Sequence, residues 1–67
     1  MIKHENLAKI RKKRDMTQLE VANQMGLSRS LYGRKETGAV AISLMEAYNL
    51  SVLYGISIEE LLFEEMK

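Results

Sequence analysis

Apolar residues recur along this chain at three- and four-residue spacings, the signature of helices that bury one face, and strand-like alternation is scarce. Proline is absent, so nothing forces a break inside those runs. The pattern predicts a first helix over His4–Arg14, with Leu7 and Ile10 as its inner stripe and Arg11 and Arg14 flanking it. Asp15 follows, a residue type that tolerates the left-handed conformation at a helix end. The clearest start signal is "TQLE" at 17–20. There Thr17 can cap the Glu20 amide while Glu20 reaches back to the Thr17 amide, a capping box. Val21, Ala22 and Met25 then share a face, and Gly26 ends the second helix.

The same logic predicts a third helix from Ser28, as N-cap, to about Glu36. A fourth opens at Ser43 on a second capping box, "SLME", and closes at Gly55, turning Leu44, Ala47, Tyr48, Leu50 and Tyr54 inward. A fifth starts at Ser57, where "SIEE" pairs Ser57 with Glu60 and Ile56 and Leu61 take the positions of a hydrophobic staple. The expectation is an all-α, compact five-helix bundle forming one domain over 1–67, without repeats or linkers.

Length makes such a bundle marginal. A 67-residue chain buries only about 60% of the surface its unfolded form exposes. It has no cysteine and one histidine, His4, so neither disulfides nor a metal centre is expected to help it. His4 reads as a surface residue near a frayed end. Stability must come from packed helices, from self-association, or from both. No apolar run approaches the ~20 residues that span a bilayer. The start, "MIKHENLAKIRKKRDM", lacks the apolar core of a signal peptide. A cytoplasmic protein is expected.

Charge changes the picture more than composition does. Residues 1–35 hold nine Lys/Arg against three Asp/Glu, and residues 36–67 hold one against six, so balances of +6 and −5 hide behind a net charge of +1. Such a split implies a basic working face and a separate acidic one. No nucleophile–base pair, metal cluster or glycine-rich phosphate loop can be assembled, so an enzyme is not expected and no cofactor is called for.

The second and third helices are joined by Met25–Ser28, with glycine at the second place. That is the spacing of a helix-turn-helix, here a unit over 17–36. On a helical wheel at 100° a residue, Arg29, Ser30, Gly33, Arg34 and Thr37 fall within about 140° of one another. Leu31, Tyr32 and Lys35 fall on the other side, with the Lys35 stem expected to pack and its ammonium to reach water. Tyr32 and Tyr48 read as core residues rather than base-stacking platforms. A mid-helix glycine costs about 0.5–1 kcal/mol relative to alanine. Gly33 is explained if the helix must approach base edges closely while Arg29 and Arg34 reach past it, each able to bond a guanine bidentately. The structural alternative is that Gly33 splits the helix into two fragments.

The stretch "TQLEVANQMGLSRSLYGRKETG" resembles the helix-turn-helix of phage Cro and repressor proteins. Its specific elements are Arg11, Thr17 and Gln18, Val21 and Ala22, Gly26, Ser28, and Glu36 with Gly38; "GISIEELL" is similar to the family's last helix. The "YGRKETG" form is similar to regulators of phages and mobile elements in Gram-positive bacteria. The resemblance implies a lambda-repressor-like DNA-binding domain. It places Arg29, Ser30 and Arg34, with Gly33 beside them, at base-reading positions. It places Thr17 and Gln18 at a phosphate, where free amides and the helix dipole favour an anion. Ser28, Thr37, Lys12, Lys13 and Arg14 are further phosphate candidates, although a run such as 12–14 can also be merely solvated. Arg11 and Glu36 match an internal salt bridge. Two departures stand out: Lys35, where relatives are usually apolar, and the uncharged "AVAIS" at 39–43, where many relatives carry basic residues.

The function so implied is a transcriptional regulator, a repressor binding double-stranded operator DNA through the major groove as a homodimer, within the nucleoid. The alternative is an antirepressor or antitoxin-type interaction module on the same fold, meeting a protein partner through the acidic second half. Leu62, Phe63 and Met66 form an apolar cluster that suits either a dimer or partner interface or the end of the core. Leu19 is a second candidate apolar contact.

Overall fold

Five helices follow one another: α1 (Glu5–Lys13), α2 (Gln18–Met25), α3 (Arg29–Thr37), α4 (Leu44–Tyr54) and α5 (Ile58–Leu62). The structure is a computed structural model that describes residues 2–65. Hydroxyl side chains start four of these helices. Thr17, Ser28, Ser43 and Ser57 each accept a hydrogen bond from the amide three residues on, at 3.1 Å. Full capping boxes close at Thr17 and Ser43, where Glu20 and Glu46 accept the cap amides at 2.8 and 2.9 Å. Asp15 adopts the left-handed conformation expected of it, at φ 55°.

The core gathers residues from every helix: Leu7 and Ile10, Val21 and Ala22, Tyr32, Ala47, Leu50 and Tyr54, Leu61 and Leu62. Packing runs α1 on α3 and α5, α2 on α3 and α4, and α4 on α5. The N-terminus ties down the other end of the chain. The Lys3 amide donates to the Leu62 carbonyl at 2.6 Å, and buried Asn6 donates through Nδ2 to the Glu64 carbonyl at 2.7 Å. No helix among the described residues is long and apolar enough to cross a membrane.

Two expectations need correction, and two alternatives are decided. Leu44 and Tyr48 do not turn inward; they are 75% and 54% exposed. The inner stripe of α4 is Ala47, Leu50, Ser51 and Tyr54, at the i, i+3, i+4, i+7 spacing of a single buried face. The helix is apolar on two faces, and one core can take only one of them. The Lys35 ammonium does not reach water. It donates to the Ala41 carbonyl at 3.0 Å and lies 2.9 Å from Glu46. Gly33 does not split α3, which is helical throughout. Leu62 belongs to the core, leaving Phe63 half-exposed beside it; Met66 lies outside the described residues.

Candidate nucleic-acid interface

The turn between α2 and α3 is made by Gly26 in the left-handed conformation, at φ 70°. Its amide donates to the Asn23 carbonyl at 3.2 Å, and the next, of Leu27, reaches back to Ala22 at 2.9 Å. Those two bonds reverse the chain within one residue. Ala22, fully buried, has only a methyl group to hold α3 away.

Helix α3 is unusual in how little apolar surface fastens it. Tyr32 is its one fully buried hydrophobic side chain. The rest of its inner face is polar and clasped. Glu36 receives Arg11 through two bonds, Nε at 2.7 Å and Nη2 at 3.2 Å, and Gln18 Nε2 at 3.0 Å. The third guanidinium nitrogen of Arg11 donates to the Met16 carbonyl at 2.9 Å. Burial opposes the Glu36 charge, yet the Arg11 hydrogen bond, supported by the neighbouring Tyr32 hydroxyl and by Gln18, outweighs it and holds the carboxyl below its usual range. The same bond raises the Arg11 pKa. Next to this cluster the Tyr32 and Tyr54 hydroxyls are buried without a hydrogen-bond partner in good geometry. Burial pushes both phenols above their ordinary value. The salt bridge expected between Arg11 and Glu36 is therefore present, and Gln18 adds a hydrogen bond to its carboxylate.

The outer face is the reverse. Arg29, Ser30, Arg34 and Thr37 are exposed, and Gly33 lies half-buried among them. Among the described residues neither Arg29 nor Arg34 has an ion-pair partner. Thr37 is spoken for: its hydroxyl donates to the Arg34 carbonyl at 3.0 Å. A β-carbon at Gly33 would stand 3.6 Å from Gln18 Oε1, an ordinary contact. Nothing in the fold demands glycine there.

The remaining candidates divide. Thr17 spends its hydroxyl on the Glu20 amide, which leaves the Gln18 and Leu19 amides as the open donors at the start of α2. The Gln18 side chain is turned into the Glu36 clasp and partly buried. Ser28 caps α3, leaving the amides of Arg29 and Ser30 open in turn. Lys12 and Lys13 are exposed at the end of α1. The Arg14 guanidinium lies 5.9 Å from the centre of the Tyr54 ring, a cation–π placement that draws it toward α4. Leu19 is 51% exposed at the start of α2.

Two features were missed in the sequence. The Lys35–Glu46 pair joins α3 to the first turn of α4, and burial of the Glu46 carboxyl is outweighed by the Ser43 amide and by Lys35, which lower its pKa. No local signal announces a pair between separate helices. The outer ridge Leu44, Tyr48, Val52 had a signal, an i, i+4, i+8 stripe beside the inner one.

Among curated proteins no sequence matches the chain. In three dimensions it is similar to a transcriptional regulator from Listeria innocua, with a TM-score of 0.84 at 17% identity over 96% of this chain. The chain spans 60% of that regulator's length. Residues 7–61 match the helix-turn-helix family model, a span that takes in the capped α2, the Gly26 turn and the clasped α3. The chain belongs to the helix-turn-helix family of the Cro/C1 type.

Proposed function

We propose that this chain is a sequence-specific double-stranded DNA-binding transcriptional regulator that lays α3 in the major groove. One observation carries the reading: a face of Arg29, Ser30 and Arg34, exposed and unpaired, surrounds a glycine on a helix clasped rigidly from beneath. Arg29 and Arg34 read guanine edges, Ser30 bonds either a base or a phosphate, and Gly33 sets the distance of approach. The open amides at the starts of α2 (after Thr17) and α3 (after Ser28) take backbone phosphates, with Lys12 and Lys13 alongside; Thr37 joins them only by giving up its bond to the Arg34 carbonyl. Arg14 contributes only if it leaves the Tyr54 ring.

The Listeria innocua protein of the same fold is a transcriptional regulator, which accords with the reading. The chain acts as a repressor of the phage or mobile-element type, covering a promoter as a homodimer on half-sites about 34 Å apart. It works in the bacterial cytoplasm, on the nucleoid.

A mobility-shift assay on DNA flanking the gene, or on duplexes selected from a random pool, tests this. The shift should survive competitor DNA and weaken on Arg29→Ala. A selected pool with no shared sequence, or a shift indifferent to Arg29 and Arg34, would overturn it.

A further inference from the structure

Helix α4 carries a second apolar stripe that its own molecule does not cover. Leu44, Met45, Tyr48 and Val52 are 75, 68, 54 and 64% exposed. Leu44, Met45 and Tyr48, with Ile58 of α5, wall a groove of about 470 Å³. Val52, one turn beyond Tyr48, projects from the same ridge. The ridge is uncharged: the one carboxylate on α4, Glu46, is held by Lys35. None of Arg29, Ser30, Gly33 or Arg34 lines the groove, so covering it leaves the proposed DNA face open.

We propose that this outer face of α4 is where a second copy of the chain packs, α4 against α4 about a twofold axis at Tyr48. The partner follows from the surface itself. A twofold contact must be self-complementary, each patch meeting its own image. With the axis at Tyr48, position 44 of one copy faces position 52 of the other. The projecting Val52 of each copy thereby enters the groove beside Leu44 and Met45 of its mate, and both copies do so at once. Ridges at i, i+4, i+8 on two helices interdigitate at a crossing angle of about −50°, so α4 pairs with itself without a second helix type.

Area points the same way. At roughly 150–200 Å² for a large side chain, those four residues expose on the order of 400–500 Å² per copy. Two copies with their rims then approach the ~1,000 Å² that separates specific interfaces from incidental contacts. The domain measures 26 × 23 × 20 Å, so touching copies have centres about one such width apart. The apolar, symmetry and area arguments do not rest on the regulator reading.

Sedimentation equilibrium of the full chain without DNA is the test, over a wide concentration series. The expected result is a reversible dimer of the 7.7 kDa chain. Tyr48→Glu should raise its dissociation constant about 30-fold or more while leaving the helical circular dichroism unchanged. In this cysteine-free chain, Tyr48→Cys should form a disulfide-linked dimer on mild oxidation, and Leu19→Cys should not. A monomer at every concentration overturns the proposal, as does a dimer that Tyr48→Glu leaves intact. A dimer broken by Tyr48→Glu but blind to DNA leaves this interface standing and removes the regulator reading. A monomer that binds a half-site through Arg29 does the opposite.

Discussion

Gln18 of α2 lies over Gly33 of α3, its Oε1 3.6 Å from where a β-carbon would stand, while its Nε2 donates to Glu36 at 3.0 Å. One side chain therefore fastens the start of α2 to α3 and still leaves room for a methyl group at the glycine. That separates what the fold needs at position 33 from what a ligand needs.

Gly33→Ala is accordingly expected to stabilise the free protein by about 0.5–1 kcal/mol, the helix-propensity difference. The added methyl should at the same time weaken DNA binding. Urea unfolding and a mobility shift on one preparation check both. A variant that gains stability with unaltered affinity would show that the groove does not approach this glycine.

Arg29→Ala and Arg34→Ala should leave the urea midpoint unmoved, since both side chains are exposed and unpaired. Each should cost about 1–3 kcal/mol of discrimination at one base pair. Lys12→Ala should act differently: a nearly uniform loss across sequences and a salt slope shallower by about one. Binding isotherms at several salt concentrations, on selected and scrambled duplexes, separate the two kinds of contact.

The Arg11–Glu36 clasp predicts a particular pH dependence. The Glu36 carboxyl titrates below its ordinary value in the folded chain, so on acidification the unfolded chain takes up its proton first. Its stabilisation is complete above the ordinary Glu range near ~4.3. It is lost as pH falls through the folded value. Glu46, lowered in the same direction, adds to the slope. Glu36→Gln should flatten the pH dependence of the urea midpoint below pH ~5. It should also destabilise at neutral pH by about 3–5 kcal/mol, because Arg11 loses its charged partner while mostly buried. An equal slope in the variant would place the acid sensitivity elsewhere.

Gly26→Ala isolates a backbone effect. No atom lies within 4 Å of the added carbon, but φ there is +70°. A loss of about 1–2 kcal/mol follows from left-handed geometry alone. Thermal unfolding should register it without altered spectra of the folded state. A neutral substitution would mean that the turn adopts another conformation.

Much of this molecule is legible in one dimension because its determinants are local. Thr17, Ser28, Ser43 and Ser57 cap amides three residues away, and Gly26 and Asp15 supply conformations that their neighbours could not. Helix starts, stops and the helix-turn-helix spacing follow from interactions spanning a handful of residues, so sequence alone determined them. The exposed basic face of α3 was equally readable, since a helical wheel needs no partner.

Tertiary packing decided the rest. Helix α4 is apolar on two faces, and only docking on α2 and α5 selected Ala47, Leu50 and Tyr54 for the core, leaving Leu44, Tyr48 and Val52 outside. Lys35 looked like a surface ammonium until α4 brought Glu46 to it from eleven residues along the chain. The Arg14 guanidinium, a phosphate candidate by sequence, stands 5.9 Å from the centre of the Tyr54 ring, a neighbour that only the packing of α1 and α4 supplies. In each case the deciding energy is a contact between separate helices, and it exists only once both have been placed.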